Sequence, residues 1–291
     1  MRVSQMAAAA AASVLGLVST GLQAACLDDA QVQAMVDGYF ARTPAATPEG
    51  LSDADGSCTR AKFHALMQPR LGKVIGYKAG LTNPGVQKRF GTDQPVWGRL
   101  YEGSLLESGA TVEATFGARA LYEADMLVRV RSDAINRATD PAQVLEAIDQ
   151  VIPFIELPDL LVQAPPKLNG PGVAAINVGA RLGVVGKAIP VPSGAAERAA
   201  MLDALRDMKV TLTDAAGTAL GGGTGSEILG HPLNAVVWLA KALAAEGIAL
   251  KPGELVSLGS FSALLPPKAG LEVTARYDGL PGAAPVEVRF R

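Results

Sequence analysis

From Lys73 onward the chain is written in short apolar runs broken by Gly and Pro, and that texture narrows the choice of fold more than any other feature. KVIGYKAGL, VWGRLYEG, LYEADMLVRV, VIPFIEL and LEVTARY are rich in Val, Ile, Leu and Tyr and short for helices, which suits strands. Ahead of them, LDDAQVQAMVDGYF sets Val32, Met35, Val36 and Phe40 at helical spacing behind an Asp-rich first turn. TRAKFHALMQPRLG repeats the pattern with Phe63, Leu66 and Met67, after a linker read over TPAATPEGLSDADGSC. Within the β-rich part, DPAQVLEAIDQ reads as a capped helix with Pro in its first turn. HPLNAVVWLAKALAAEG is the clearest helix, closed by Gly. VAAINVGARLGVVG is strand-like, MKVTLTD with ALGGGTGSEIL reads as a hairpin pair, and ELVSLGSFSALLPP and VEVRF read as further strands. The fold class expected is α+β, not an alternating βαβ fold. A helical segment over 25–72 precedes a β-rich domain over 73–291.

Hydrophobic residues make up 49% of the 291 and charged residues 19%, enough for a substantial core. Basic and acidic residues number 26 and 28 with no basic block, which leaves a nucleic-acid surface without electrostatic support. The first residues differ from the rest. Arg2, the run MAAAAAASVLGLVSTGL and then QAAC have the layout of a signal peptide over 1–24, with cleavage after Ala24. The run is short for a membrane anchor and is broken by Ser and Thr. The expected location is therefore periplasmic or secreted. Cys26 and Cys58 then read as a disulfide, with lipidation of Cys26 as the competing use.

Chemistry-bearing motifs are few. GGGTG at 221–225 lacks the spacing and the Lys-Ser/Thr of a phosphate loop and reads as a glycine turn. His231, before Pro at a helix start, reads as a capping or packing residue, and His64 could face either way. The acids are more telling. Glu123 and Asp125 lie two apart in a strand and so share one face, and Glu156 ends VIPFIE. Unpaired burial would cost several kcal/mol each, so they need cations. Arg129, on the same face, is the plain ion-pair option. A divalent metal, Mg²⁺ or Mn²⁺, with open positions for substrate oxygens is the other. Lys78, alternating with apolar residues in GYKAGLT, suits a buried lysine with a lowered pKa for acid–base work.

Read together, GYKAGLTNPGVQKRFGTDQPVWGRLYEG, LYEADMLVRV, FIELPDL and GSEILGHPLNAVVWLAKALAAEGIALKPGELVSLGSFS resemble 2-keto-4-pentenoate hydratases over about residues 76–270. These hydratases are close relatives of 4-oxalocrotonate decarboxylases, within the fumarylacetoacetate hydrolase superfamily. The resemblance implies a mixed β-sheet roll of the fumarylacetoacetase C-terminal type, assembled as a homo-oligomer. It implies a divalent metal on Glu123, Asp125 and Glu156, with Asp125 in place of the usual Glu. Lys78 takes the place of the family lysine, as a proton shuttle or carboxylate partner. Asn177, Lys167 and Ser260 fall at substrate-binding positions, Lys167 standing in for a basic residue lost where Asp159-Leu160-Leu161 replaces Asp-Ser-Arg. The implied reaction is hydration of a small 2-hydroxydienoate or 2-oxo-enoate in aromatic compound catabolism. Decarboxylation of a 2-oxo dicarboxylic acid, or binding without turnover by an exported protein, are the alternatives.

Overall fold

The structure is a computed structural model, and it describes residues 26–291. In chain order its elements are α1 (Asp29–Ala41), α2 (Asp53–Leu71), β1 (Val74–Gly80), α3 (Pro84–Arg89), β2 (Val96–Tyr101), β3 (Leu105–Glu107), β4 (Ala110–Val112), β5 (Glu123–Val130), α4 (Pro141–Ala147) and β6 (Ile148–Leu157). There follow α5 (Gly170–Ala175), β7 (Leu182–Val185), β8 (Ile189–Pro190), α6 (Ala195–Asp207), β9 (Lys209–Thr213), β10 (Ala219–Thr224), α7 (Asn234–Ala245), β11 (Leu255–Ser257), β12 (Glu272–Asp278) and β13 (Val286–Phe290). Among the described residues no helix is long and apolar enough to cross a membrane.

Two mixed sheets carry the molecule, as the α+β expectation requires. The larger runs β2-β1-β11-β5-β6-β7-β3 with β8 beside β6, and the smaller runs β10-β9-β12-β13-β4. Strands β1 and β11, β3 and β7, and β4 and β13 pair in parallel; the other pairs are antiparallel. β5 and β6 are buried on both faces, which is why both read as nearly continuous apolar runs. β12 and β13 alternate buried and exposed residues, as strands with one wet face should. The main core lies between the sheets, where Met126, Val128 and Ile155 meet Val210, Val273 and Val288, and it extends to Leu239 and Leu243 of α7.

A second core joins Val32, Met35 and Val36 of α1 and Phe63 and Met67 of α2 to Tyr101, Val173 and Val178. The helical segment thus backs the wall that carries α5 and the turn after it. Cys26 and Cys58 are joined as a disulfide, tying the chain ahead of α1 to α2.

Three local readings change. The linker ends earlier than expected, because Ser52 and Asp55 form a reciprocal capping box that starts α2 at Asp53. VAAINVG is the end of α5 and a tight turn, with only Leu182–Val185 extended. The glycine run at 221–223 is strand β10, paired with β9, instead of a turn.

Candidate active site

The β5–β6 ladder brings the acids together. Its register sets Glu123 directly across from Glu156, and Asp125 follows two residues along β5. Like charges placed opposite each other in an antiparallel pair destabilise it, so this ladder is unfavourable as bare protein. Exposure is 8% for Glu123, 0% for Asp125 and 2% for Glu156, and among the described residues the cation set with them is Lys78 of β1, 3% exposed.

Lys78 forms a buried ion pair with Glu156 and donates to the Val178 carbonyl at 2.9 Å. Burial alone would lower its pKa, but the charges of Glu156 and Glu123 outweigh that and hold it above the ordinary lysine value. The lowered pKa expected from burial is therefore not what the surroundings produce. Burial and the Glu156 charge push the Glu123 carboxyl well above its usual range and raise Asp125 to about 8.

Asp125 is held from three directions. Its Oδ1 accepts from the amides of Met126 at 2.5 Å and Gly259 at 3.0 Å, and its Oδ2 accepts from the Ser257 hydroxyl. Below the ladder, the buried Tyr277 hydroxyl reaches from β12 to the carbonyls of Asp125 and Phe154 and accepts from the Phe154 amide.

A divalent cation fits this site by charge and donor type. Three buried carboxylates face one ammonium, and Glu156 Oε2 is buried without a hydrogen-bond partner. Hard oxygen donors of this kind suit Mg²⁺ or Mn²⁺. The fit is not one of preformed geometry: among the described residues no three acid, histidine or cysteine side chains stand grouped as a ready cage.

The turn Asn177–Gly179 shapes the other side of Lys78. All three residues have left-handed φ, at 55°, 55° and 66°. For a β-branched residue such as Val178 that is a true outlier, a kind of strain found at functional sites. The Asn177 side chain clamps the turn to β2, accepting from the Arg99 amide at 2.7 Å and donating to the Arg99 carbonyl at 3.0 Å. Glycines make the fit possible. A Cβ at Gly98 would lie 2.5 Å from the Asn177 carbonyl oxygen, and one at Gly80 would lie 2.4 Å from Val178 Cγ1.

Above this floor opens a cavity of about 600 Å³, lined by Lys78, Glu123, Val178 and Ser260 among others. Of the residues expected at the site, Lys78, Glu123 and Ser260 line the cavity, while Asp125 and Glu156 are buried and do not line it. Asn177 serves as the clamp and does not line the cavity. Lys167 is not brought to it: its side chain is exposed and paired with Glu49 at 2.9 Å, and Pro165 and Pro166 line the wall instead. The second cation of the cavity is Arg89 of α3. Arg129 does not neutralise the acids, because it forms a two-pronged pair with Asp149. Sequence reasoning missed Ser257, Tyr277 and Arg89, as well as the Val178 carbonyl. Only Arg89 had a readable signal, as a cation in the GYKAGLTNPGVQKRFG stretch.

No family model matches the sequence. The chain is 30% identical over 210 residues to the 2-hydroxyhexa-2,4-dienoate hydratase of Comamonas testosteroni, covering 72% of this chain and 76% of that one. It is 29% identical over 227 residues to the 4-oxalocrotonate decarboxylase of Pseudomonas sp. strain CF600, covering 78% and 82%. Among solved structures, the 4-oxalocrotonate decarboxylase of Pseudomonas putida G7, complexed with magnesium and adipate, superposes with a TM-score of 0.77 at 24% identity over 90% of this chain and 97% of that one. The relatives are by name hydratases and decarboxylases of small 2-oxo and 2-hydroxydienoate acids, and against them the expectation of a periplasmic or secreted protein is not upheld. The leader read over 1–24 lies outside the described residues. The Cys26–Cys58 bond stands in the structure; the exported location from which it was expected does not. By sequence and by fold, this chain belongs to the 2-keto-4-pentenoate hydratase and 4-oxalocrotonate decarboxylase family of the fumarylacetoacetate hydrolase superfamily.

Proposed function

We propose that the chain is a metal-dependent lyase that adds water to a small 2-hydroxydienoate. The reading is carried by one observation: a buried cluster of Glu123, Asp125, Glu156 and Lys78 at the floor of a cavity, short of positive charge. Residues 73–291 carry the chemistry in this reading and residues 25–72 buttress it. Glu123, Asp125 and Glu156 would hold Mg²⁺ or Mn²⁺, which supplies Lewis-acid polarisation of the substrate's 2-oxygen.

The residues of the chain do the rest. The Lys78 ammonium, kept charged by Glu156 and Glu123, donates to the substrate oxygen that gains negative charge. Ser260, at the cavity wall, offers a hydroxyl to the substrate carboxylate. As the dienol loses its hydroxyl proton, C5 gains one and an α,β-unsaturated 2-oxo acid results. Water then adds its oxygen at C4 and a proton at C3. In the decarboxylase alternative the same electron sink takes the pair left when the C–CO₂ bond breaks.

A dienol absorbance assay with and without Mg²⁺, run beside CO₂ detection, tests the reading. Metal-dependent loss of absorbance without CO₂ supports hydration, and CO₂ release from 4-oxalocrotonate supports the alternative. No turnover of either substrate would overturn both. Glu123→Ala is expected to lower kcat/KM on the order of a thousandfold, and an unchanged value would refute the metal site. The homo-oligomer implied by the family is part of the same reading, and light scattering tests it.

A further inference from the structure

The cavity has two chemically different ends. Its floor is polar, with Lys78, Glu123 and Ser260. Beside the exposed Arg89 and Glu227, its outer part carries an apolar wall: Val86 of α3 with Phe90 just after it, Leu160, Pro165 and Pro166 from the segment after β6, and Leu264 from the segment after β11. Among the described residues three large hydrophobic side chains are exposed, Leu66, Val86 and Leu264. Two of the three stand on this one wall, 40% and 39% exposed. Scattered exposed apolar residues are ordinary, but a cluster beside a polar pocket marks a surface that a ligand covers. Size points the same way. A five-carbon acid with its carboxylate at the floor fills only a small part of about 600 Å³.

We infer that the outer part of the cavity is a subsite for an apolar substituent at the end of the substrate remote from its carboxylate. The preferred substrates are then 2-hydroxydienoates with an alkyl or aryl tail. This inference rests on the proposed reaction for the identity of the head group. The competing occupant is a second carboxylate paired with Arg89, which lines the cavity and forms no ion pair among the described residues. Two observations weigh against it. Arg89 is exposed and keeps its hydration, and Glu227 lines the same cavity with a charge that repels a second carboxylate.

Two measurements with the Mg²⁺-loaded protein test the subsite. The first compares kcat/KM for 2-hydroxypenta-2,4-dienoate and analogues bearing methyl, propyl, phenyl or carboxylate at C5. The expected rise is about fourfold per added methylene, with the carboxylate analogue below the unsubstituted acid. The second measures, by calorimetry, the affinity of 2-oxopentanoate and 2-oxooctanoate, saturated acids that need no turnover. The longer acid should bind more tightly, and the variant V86S/L264S should compress the ratio of the two affinities by about tenfold. Tighter binding of the longer acid without turnover of any dienoate would sink the proposed reaction and leave the subsite standing. Turnover with no dependence on tail length, or with preference for the carboxylate analogue, would overturn the subsite and leave the reaction standing. Failure of both 2-oxo acids to bind would also overturn the subsite.

Discussion

At the scale of single residues, the contact between Gly80 and Val178 constrains the wall beside Lys78. Gly80→Ala would drive a methyl group into Val178 Cγ1, and overpacking of this kind costs about 1–3 kcal/mol. Val178→Ala frees the space, so G80A/V178A should be more stable than the sum of the two single changes. Urea denaturation of all four proteins measures this, and strict additivity would mean the two side chains do not meet. Asn177→Ala should cost about 1 kcal/mol or more, since it leaves part-buried backbone groups of Arg99 without these partners. It should also lower kcat by freeing the carbonyl that Lys78 uses. The acids and Lys78 were readable in the sequence because strand alternation and family resemblance both mark them. The Val178 carbonyl, Ser257 and Tyr277 were not. A backbone carbonyl has no residue type, and Tyr277 reaches Asp125 from another sheet, a contact that no local pattern encodes.

At the scale of elements, α2 shows why strands were easier to place than helix boundaries. The period-two texture of β9, β12 and β13 survives in the sequence because one face stays wet. The start of α2 is hidden in residues that also suit a linker, Ser52, Asp53 and Asp55. Ser52→Ala should cost about 1 kcal/mol of stability, and thermal unfolding would show it. α5 suits a strand by sequence because VAAINVG is apolar or small except at Asn177, and a short buried run has no period to separate helix from strand. The α2–β2 contact carries a pH dependence. His64 Nδ1 lies 2.9 Å from the Tyr101 hydroxyl, and burial, then the Arg99 charge, lowers its pKa to about 4. The unfolded chain, with a histidine pKa near 6.5, binds this proton more readily than the folded one. Stability from His64 is therefore complete above about pH 6.5 and is lost progressively as pH falls toward 4. His64→Gln should flatten the fall in Tm across that window, with the residual slope due in part to His231, whose pKa is also lowered by burial.

At the scale of the whole molecule, the disulfide closes a loop between residues 32 apart. Loop-closure entropy puts its contribution at about 3–4 kcal/mol. C26S/C58S should lower Tm by several degrees, and reductant should do the same to the parent protein and nothing further to the variant. The two sheets were foreseen as a roll, but their strand order was not, because the order depends on pairings between segments far apart in sequence. β1 pairs in parallel with β11, and β4 with β13. On the ribosome this ordering becomes a delay. β1 and β4 emerge early and must wait, as open edges, until nearly all of the remaining fold has been synthesised. A nascent chain stalled before β13 would present both the edge of β4 and the uncovered inner face of the smaller sheet. Expression should thus depend strongly on chaperone supply and on slow growth at low temperature, and 3′-truncated messages should yield aggregates instead of folded fragments.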